Sequence, residues 1–244
     1  MRVMLLAAGY ATRLYPLTEN FPKPLLPVGG RPILDWLVED LREEAEEFRL
    51  VSNHKFAEDF RRWAAERPER ITVLDDGTVS NETRLGAVRD IQLAAGKAPA
   101  GDWLVLAGDN VLDFSLVPFV RFAREKGASC VMCHEENRPE ALRRTAVITV
   151  DGGGRITGYE EKPEEPKGNL AVPPFYYYRG ADLRRIGEAL REGCGADAPG
   201  SFAAWLSRKT AMYAWRMPGS RHDIGDLASY EAIRDRYRGF GGAG

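Results

Sequence analysis

Two cations follow closely on a small-residue turn near the start of the chain. An apolar, strand-like run ends at Ala7, Ala8 and Gly9, and Arg13 and Lys23 come shortly afterwards. Small residues let backbone N–H groups approach a phosphate chain closely, and two nearby cations can neutralise its charge. We therefore expect the backbone of residues 7–9 to approach a phosphate chain, with Arg13 and Lys23 as the cations that neutralise its charge.

A carboxylate stands at the end of a second apolar run. Residues 103–107 are strongly apolar and lead directly into Gly108 and Asp109. Mg²⁺ prefers carboxylate and phosphate oxygens and keeps several waters, so Asp109 is a candidate ligand for it. Acidic residues also end strands and cap helices for structural reasons, which makes this motif weak when it is taken alone.

Strand-like and helix-like segments alternate through the first half of the chain, as is typical of an α/β sheet. The predicted strands are Arg2–Ala8, Phe48–Ser52, Ile71–Leu74, Trp103–Ala107 and Ala128–Cys133, and the predicted helices are Ile33–Glu47, Glu58–Glu66, Leu85–Ala95 and Leu116–Lys126. Ligands of open α/β sheets bind at the carboxyl ends of the strands. Gly9, Asp76 and Asp109 are expected at that edge.

The second half predicts antiparallel strands followed by helices. The strands are Thr145–Val150, Arg155–Glu160, Ala171–Tyr178 and Met212–Met217, and the helices are Ala181–Arg191, Phe202–Arg208 and Leu227–Tyr237. We expect a single Rossmann-like α/β domain, with a mixed, mainly parallel sheet flanked by helices. It would span residues 1–238, with a nucleotide-binding half to about 135, an acceptor-binding half from about 136, and a flexible glycine-rich tail over 239–244.

The first loop resembles the signature of the sugar-phosphate nucleotidylyltransferases, although the family has a glycine where this chain has Ala11. The resemblance implies a nucleotide-diphospho-sugar transferase fold and transfer of a nucleotide from an NTP to a phosphorylated acceptor. It makes Ala7, Ala8 and Gly9 nucleotide-binding residues, and it gives Arg13 and Lys23 the catalytic role of neutralising the phosphates. It also assigns Asp109, which would contact the nucleotide as well, and Asp223 as the ligands of Mg²⁺.

A second set of motifs resembles the family's acceptor region. Glu161 and Lys162, followed by a proline, match its Glu-Lys-Pro motif, in which the lysine binds the acceptor phosphate and the glutamate binds sugar hydroxyls. Asn169 and Val172 extend the match, which is similar to glucose-1-phosphate thymidylyltransferases. Pro173 and the proline after it stand where that group has a less rigid pair.

Two parts of the chain depart from the family pattern. Arg221 stands in place of a tryptophan beside the second carboxylate, and Asp226 in place of a threonine. In the base-binding region, Gly86 belongs to only a partial match, whereas Asn81 resembles the asparagine loop of phosphocholine cytidylyltransferases. Asn81 and Gly86 are candidate nucleotide-binding residues, and the identity of the base stays open.

We therefore expect a Mg²⁺-dependent enzyme that joins an NTP to a sugar 1-phosphate, giving an NDP-sugar and pyrophosphate. One alternative is a cytidylyltransferase acting on a small phosphorylated alcohol or phosphonate. Another is a catalytically inactive regulatory protein that binds a nucleotide or a sugar phosphate. A dinucleotide-binding oxidoreductase is disfavoured, since the glycine-rich fingerprint of that fold is missing after the first strand.

The composition of the chain limits the classes of binding partner that we expect. The formal net charge of −2 argues against a general nucleic-acid or anionic-membrane surface. The 3 cysteines fit a reducing compartment, and the chain begins with neither a signal peptide nor a membrane span, so we expect a cytoplasmic protein. Its partners would be an NTP and a phosphorylated small molecule, without nucleic acid or membrane. The oligomeric state stays open between monomer and homodimer.

Overall fold

The computed structural model describes residues 1–96 and 101–240. Of the predicted glycine-rich tail, only Gly239 and Phe240 belong to these ranges, and residues 241–244 lie outside the described part. The Phe240 ring packs edge-on against Trp36, with 6.5 Å between ring centroids. Within the described residues, no helix combines the length and the apolar character that crossing a membrane requires.

The elements of the described ranges follow the predicted alternation. The strands are β1 (Arg2–Leu6), β2 (Pro27–Val28), β3 (Arg31–Pro32), β4 (Glu47–Ser52), β5 (Ile71–Asp75), β6 (Trp103–Ala107), β7 (Asn110–Leu112), β8 (Ser129–Glu135), β9 (Ala146–Val150), β10 (Ile156–Glu161), β11 (Leu170–Val172), β12 (Phe175–Tyr178), β13 (Met212–Arg216) and β14 (Arg221–Asp223). The α-helices are α1 (Ile33–Leu41), α2 (Ala57–Ala65), α3 (Ala87–Ala95), α4 (Val117–Lys126), α5 (Pro139–Leu142), α6 (Gly180–Leu183), α7 (Ile186–Arg191), α8 (Gly200–Ser207) and α9 (Leu227–Arg234).

The chain packs as two compact units, each assembled from separated stretches of sequence. The first unit comprises residues 2–84, 107–117 and 218–240, and the second comprises residue 1 and the described parts of 85–106 and 118–217. Three parallel strands, β1, β4 and β5, form the sheet of the first unit. Their carboxyl ends share one edge, so the loop after β1 lies where ligands of such sheets bind.

A small apolar cluster holds the C-terminal stretch onto the first unit. It contains Leu14 and Val111 together with Ile224, Tyr230 and Tyr237, all of them buried. The Tyr230 hydroxyl donates to the Pro27 carbonyl at 3.1 Å, and that of Tyr237 donates to the Leu112 carbonyl at 2.5 Å. Buried hydroxyl groups are costly unless they find such partners. These two bonds fix the segment that carries the second predicted metal ligand.

The second unit is built on a mixed ladder. Strand β12 pairs antiparallel with β6 and with β8, and β13 adds to β8 in parallel. Beyond β8 the order continues through β11, β9 and β10, all antiparallel. The predicted α/β fold class, with a mixed sheet flanked by helices, is confirmed.

The two central cysteines lie in β8, where Cys130 and Cys133 are buried. Residues three apart on a strand point to opposite faces, so their sulfurs do not converge. Burial raises the pKa of Cys130 to about 12 and that of Cys133 to about 11. Both thiols therefore stay protonated and serve as apolar packing groups at neutral pH.

Several predicted boundaries are wrong, and three of the differences have a visible local cause or consequence. Helix α1 ends at Leu41 rather than Glu47. Glu47 instead opens β4, where its carboxylate accepts a hydrogen bond from Arg49 at 2.6 Å. The predicted strand Ala171–Tyr178 is two strands, since the prolines at 173 and 174 lack the N–H that a ladder needs. The predicted helix Ala181–Arg191 is likewise two short helices.

Candidate active site

The loop after β1 offers open space beside small residues. Ala7 is anchored by its N–H, which donates to the Val51 carbonyl at 2.9 Å, and the Ala8 carbonyl accepts from the Asn53 side chain at 3.1 Å. Gly9 is exposed, and a Cβ added there would meet nothing within 4 Å. The hydrogen bonds to Val51 and Asn53 therefore fix the backbone just before Gly9, and the open space at Gly9 lets a ligand approach its backbone.

Arg13 is presented by a left-handed residue. Ala11 has φ 49° and ψ 39° and immediately precedes the 3₁₀ turn Thr12–Leu14 that carries the arginine. The buried Thr18 hydroxyl donates to the Ala11 carbonyl at 2.8 Å and holds this conformation. A left-handed backbone conformation costs an alanine about 1–2 kcal/mol of conformational free energy. This cost explains why the family that the loop resembles has a glycine at this position. The Arg13 guanidinium reaches toward Gly225, where an added Cβ would lie 3.7 Å from Nη2.

Lys23 stands on the short 3₁₀ turn Lys23–Leu25 and is largely buried. Its ammonium lies 2.5 Å from Oδ2 of Asp109 and donates to the Ile224 carbonyl at 2.8 Å. The lysine thus links two segments that are far apart in sequence. It places a cation beside the first predicted metal ligand.

Asp109 is positioned by the glycine before it. The Gly108 N–H donates to the Leu6 carbonyl at 3.0 Å. A Cβ on Gly108 would come within 3.1 Å of the Leu34 side chain and 3.3 Å of the Leu6 carbonyl oxygen. A side chain at this position would require its neighbours to shift by a few tenths of an ångström, so glycine allows the close approach that places the following carboxylate beside the end of β1.

The second carboxylate is brought to the first by a short strand pair. Strands β7 and β14 pair antiparallel and set Asp223 opposite Asn110, while the Ile224 N–H donates to the Asp109 carbonyl at 3.2 Å. Lost hydration and the nearby negative charge of Asp109 raise the pKa of Asp223, whereas Arg221 and Lys23 act in the opposite direction. Two carboxylates that repel each other in this way form a natural cation site.

A small cavity of about 70 Å³ lies where these loops meet in the first unit. It is lined by Leu6, Ala7, Gly9, Ala11, Lys23, Pro24 and Asp109. No cluster of three or more His, Cys, Asp or Glu side chains that could hold a metal occurs among the described residues. A two-carboxylate pair still suits Mg²⁺, which is commonly bound through one or two carboxylates while phosphates and waters complete its shell.

The acceptor motif lies in the second unit, at the end of β10. Lys162 has φ 49°, a strained value for a residue with a side chain, and its N–H donates to the Thr145 carbonyl at 3.1 Å. The Glu161 carboxylate lies over Gly200, the first residue of α8, in the space that a side chain there would fill. Burial raises the pKa of Glu161, against the lowering effect of Lys162. Strained backbone and an under-solvated carboxylate are features that cluster at binding sites.

Asn169 and Val172 flank the same strand region. The Asn169 amide donates to the Asn137 side chain at 3.4 Å, and its carbonyl accepts from the Glu136 N–H at 2.9 Å. Val172 is buried, and its carbonyl accepts from the Thr145 hydroxyl at 3.1 Å. Both positions are thus fixed by neighbouring strands and loops of the second unit.

The predicted base-binding residues lie in different units. Asn81 stands in a 3₁₀ turn of the first unit, where its side-chain oxygen accepts from Arg84 at 3.2 Å. Gly86 belongs to the second unit and precedes α3 with φ +90°. A Cβ on Gly86 would lie 2.5 Å from the Ala196 carbonyl oxygen. The glycine is therefore required by packing as well as by its backbone conformation.

We expect Gly86→Ala to lower the free energy of unfolding by about 2–4 kcal/mol, because the strain of a positive φ with extended ψ and the steric overlap add together. Gly77→Ala is the matched control, since Gly77 has φ +76° and a Cβ there would meet nothing within 4 Å. It should lose only about 1–2 kcal/mol, the backbone cost alone. Urea denaturation measures both changes. Equal losses in the two variants would contradict the packing role of Gly86.

Two functional-looking residues escaped the sequence analysis. Asn53 is fully buried, and its side chain donates to the Ala8 carbonyl at the start of the loop that follows β1. Asn110 donates to Asp109 and accepts from Arg221 between the two carboxylates. The position of Asn110 directly after Asp109 could have indicated a role in the site. Its other partner, Arg221, is too distant in sequence for a local pattern to predict the contact.

Comparison with known proteins agrees with this geometry. The family model described as "Nucleotidyl transferase" matches residues 2–238. A UTP–glucose-1-phosphate uridylyltransferase from Synechocystis is 27% identical over 96% of this chain and 63% of its own length. A UTP–glucose-1-phosphate uridylyltransferase from Haloferax volcanii, AglF, is 31% identical over 73% of this chain and 72% of its own. The chain spans 63%, 40% and 49% of the length of the first three curated relatives.

The fold comparison is equally extensive. The structure of a UDP-glucose pyrophosphorylase complexed with UDP-glucose superposes with a TM-score of 0.81 at 20% identity, covering 97% of this chain and 97% of the other. At that identity the likeness establishes the fold alone. The family model matches nearly every described residue and shows the kinship: the chain belongs to the nucleotidyl transferase family.

Proposed function

We propose that the protein transfers a nucleotidyl group from an NTP to a sugar 1-phosphate, producing an NDP-sugar and pyrophosphate. The observation that carries the proposal is the grouping of Lys23, Asp109 and Asp223 beside the small-residue loop that ends in Gly9. Two relatives add support, because both are UTP–glucose-1-phosphate uridylyltransferases. The base accepted by this chain is left to experiment.

The chemistry needs no general base. The second pKa of a phosphate monoester is about 6, so the acceptor oxygen is already largely ionised at neutral pH. That oxygen attacks the α-phosphorus, a new P–O bond forms, and the bond from the α-phosphorus to the bridging oxygen of pyrophosphate breaks. Catalysis of such a transfer is mostly positioning and neutralisation of charge.

Arg13 and Lys23 supply the neutralising charge in this proposal. Arg13 would contact the triphosphate and the developing charge at the α-phosphorus, helped by its exposed position after the Ala11 turn. Lys23 is paired with Asp109 in the free protein and would turn to the transferring phosphate. Backbone N–H groups at Ala7, Ala8 and Gly9 would bind the phosphate chain.

Asp109 and Asp223 would hold Mg²⁺. When bound, the ion supplies Lewis-acid stabilisation of phosphate charge. The protein's own contribution is to keep the two carboxylates adjacent, through Gly108 and the β7–β14 pair. Asp223 is about half exposed, which leaves room for the water and phosphate oxygens that complete a magnesium shell.

The acceptor is assigned to the second-unit motif. Lys162 would bind the acceptor phosphate, and Glu161 would accept hydrogen bonds from sugar hydroxyls, with Asn169 and Val172 nearby in the same unit. One oxygen of Glu161 is buried and lacks a hydrogen-bond partner within the described part of the chain. A buried acceptor atom of this kind is stabilised when a ligand hydroxyl donates to it.

We expect Lys162→Ala to raise the acceptor KM about 10- to 100-fold with a smaller change in kcat, because a charge-assisted hydrogen bond contributes about 1.5–3 kcal/mol. Steady-state kinetics with the acceptor varied at saturating NTP measure this. Lys167→Ala is the control, since that exposed lysine pairs with Glu160 at 3.1 Å and should leave KM within about twofold. An unchanged acceptor KM in Lys162→Ala would remove the lysine from the acceptor site.

The reaction is tested by pyrophosphate release with Mg²⁺. Each of the five common NTPs is combined with sugar 1-phosphates, phosphocholine and aminoethylphosphonate. Release that requires one NTP and one sugar 1-phosphate supports the proposal and names both substrates. Release with CTP and phosphocholine or the phosphonate would replace it by the cytidylyltransferase alternative. Tight nucleotide binding without release from any pair would favour a regulatory protein.

A further inference from the structure

A chain of polar side chains connects the two carboxylates of the first unit. The Asn110 amide donates to Oδ1 of Asp109 at 2.7 Å, and its oxygen accepts from Nη1 of Arg221 at 2.5 Å. The same Arg221 nitrogen lies 3.5 Å from Oδ2 of Asp223. Strand pairing fixes this arrangement, because β14 is registered against β7 with Asp223 opposite Asn110.

Each carboxylate of the pair therefore has its own cation. Lys23 faces Asp109 at 2.5 Å, and Arg221 faces Asp223 at 3.5 Å. The two negative and two positive side chains sum to zero formal charge. A neutral side chain at position 221 would leave the same group with one net negative charge, and a net negative charge is what attracts a divalent cation.

An arginine suits this position better than a lysine would. Its planar guanidinium carries several donors, so it can bond to Asn110 and face Asp223 at the same time. The Arg221 side chain is only 20% exposed, which limits screening of its charge by solvent. The Arg221 guanidinium is consequently held in the site by these contacts and differs from a solvated surface charge.

We propose that Arg221 is an internal counter-ion and positioning residue of the Asp109–Asp223 pair, and that it makes the nucleotide-free protein a weak binder of divalent cations. The inference depends on the metal role proposed for the two aspartates. Magnesium gives up its water reluctantly and commonly binds in company with substrate phosphates. With the pair already neutralised, the added charge of a triphosphate is needed to hold the ion, so metal and NTP bind together.

The test is a titration of the nucleotide-free, full-length protein with Mn²⁺ as the probe, with free Mn²⁺ followed by its EPR signal. We expect Arg221→Gln to bind Mn²⁺ about tenfold or more tightly than the natural protein, since one counter-ion is removed. Asp109→Asn in the Arg221→Gln background should abolish the gain. Arg234→Gln is the control, because Arg234 pairs with Asp235 at 2.6 Å on the surface of α9.

Tighter binding is a result that damage to the fold would not produce. Arg221→Lys keeps the charge and should therefore retain weak Mn²⁺ binding. Unchanged or weaker Mn²⁺ binding by folded Arg221→Gln, verified by circular dichroism, would overturn the counter-ion role. Because the titration contains no substrate, it is independent of turnover. If Arg221→Gln binds Mn²⁺ more tightly but the natural protein releases no pyrophosphate with any substrate pair, the proposed function is refuted and the counter-ion role of Arg221 still stands.

Discussion

Replacing Asp109 by asparagine is expected to lower kcat at least about a thousandfold, equivalent to about 4 kcal/mol of lost transition-state stabilisation. Asparagine has nearly the same shape, and its oxygen can still accept from Asn110, so the fold should survive. What disappears is the negative charge that faces Lys23 and that would hold Mg²⁺. Single-turnover formation of the NDP-linked product measures the chemical step directly.

Asp113→Asn is a matched control for this loss. Asp113 lies in the same unit just after β7, where its carboxylate accepts from the Ser220 N–H at 2.7 Å. That contact is structural, so Asp113→Asn should change kcat by no more than about threefold. Thermal unfolding of both variants separates stability from activity. Natural turnover in Asp109→Asn would contradict the assignment of the carboxylate to the reaction.

Lys23→Met is expected to lower kcat about 100- to 1,000-fold, the usual consequence of removing one preorganised charge from the site of phosphate transfer. Methionine retains an unbranched stem that fills similar space, while the ammonium that contacts Asp109 and the Ile224 carbonyl is lost. The effect should fall on kcat rather than on the NTP KM, because the charge acts on the transferring phosphate. Initial rates with each substrate varied test this division.

Lys55→Met controls for the loss of any lysine near the same unit. The Lys55 ammonium donates to the Glu19 carbonyl at an exposed position, and its removal should leave kcat within about twofold. If the two lysine variants lose the same small amount of activity, Lys23 takes no part in the transfer step. The pair therefore distinguishes a catalytic cation from a solvated loop charge.

Much of the fold could be predicted because its signals are local. The strand Trp103–Ala107 was placed at its observed boundaries, since an unbroken apolar run ending in Gly108 permits little else. The helix around α2 was also located within one residue at each end. Errors arose where a tertiary demand overrode local preference, as at Glu47, whose charge is paired inside β4 rather than in a helix.

The site was harder to predict because its contacts join distant segments. No local sequence pattern predicts that Lys23 contacts Asp109. Nor does one predict that the three-residue strand Arg221–Asp223 pairs with Asn110–Leu112. Those strands are too short for a periodic pattern. Residue type and position indicated Arg13, Lys23 and Asp109, and family resemblance added Asp223. The Asn110–Arg221 bridge between the carboxylates emerges only from the strand register.

The strained backbone conformations could not be predicted from the sequence either. Ala11 and Lys162 are the non-glycine residues with positive φ within residues 1–96 and 101–240. Both stand in segments predicted to bind phosphate, one beside Arg13 and the other in the acceptor motif. Such conformations are determined by the surrounding packing, including the Thr18 bond to Ala11, and side-chain type gives no hint of them.

The central claim is that an NTP is cleaved between its α- and β-phosphates and that the α-phosphate is kept in the product. The most direct test uses the natural protein, Mg²⁺, the active substrate pair and NTP labelled with ³²P at either the α- or the γ-position. We predict that α-label appears in the NDP-linked product and γ-label in pyrophosphate, in equal amounts and only when the acceptor is present. Release of γ-label as inorganic phosphate, or cleavage without acceptor, would contradict it.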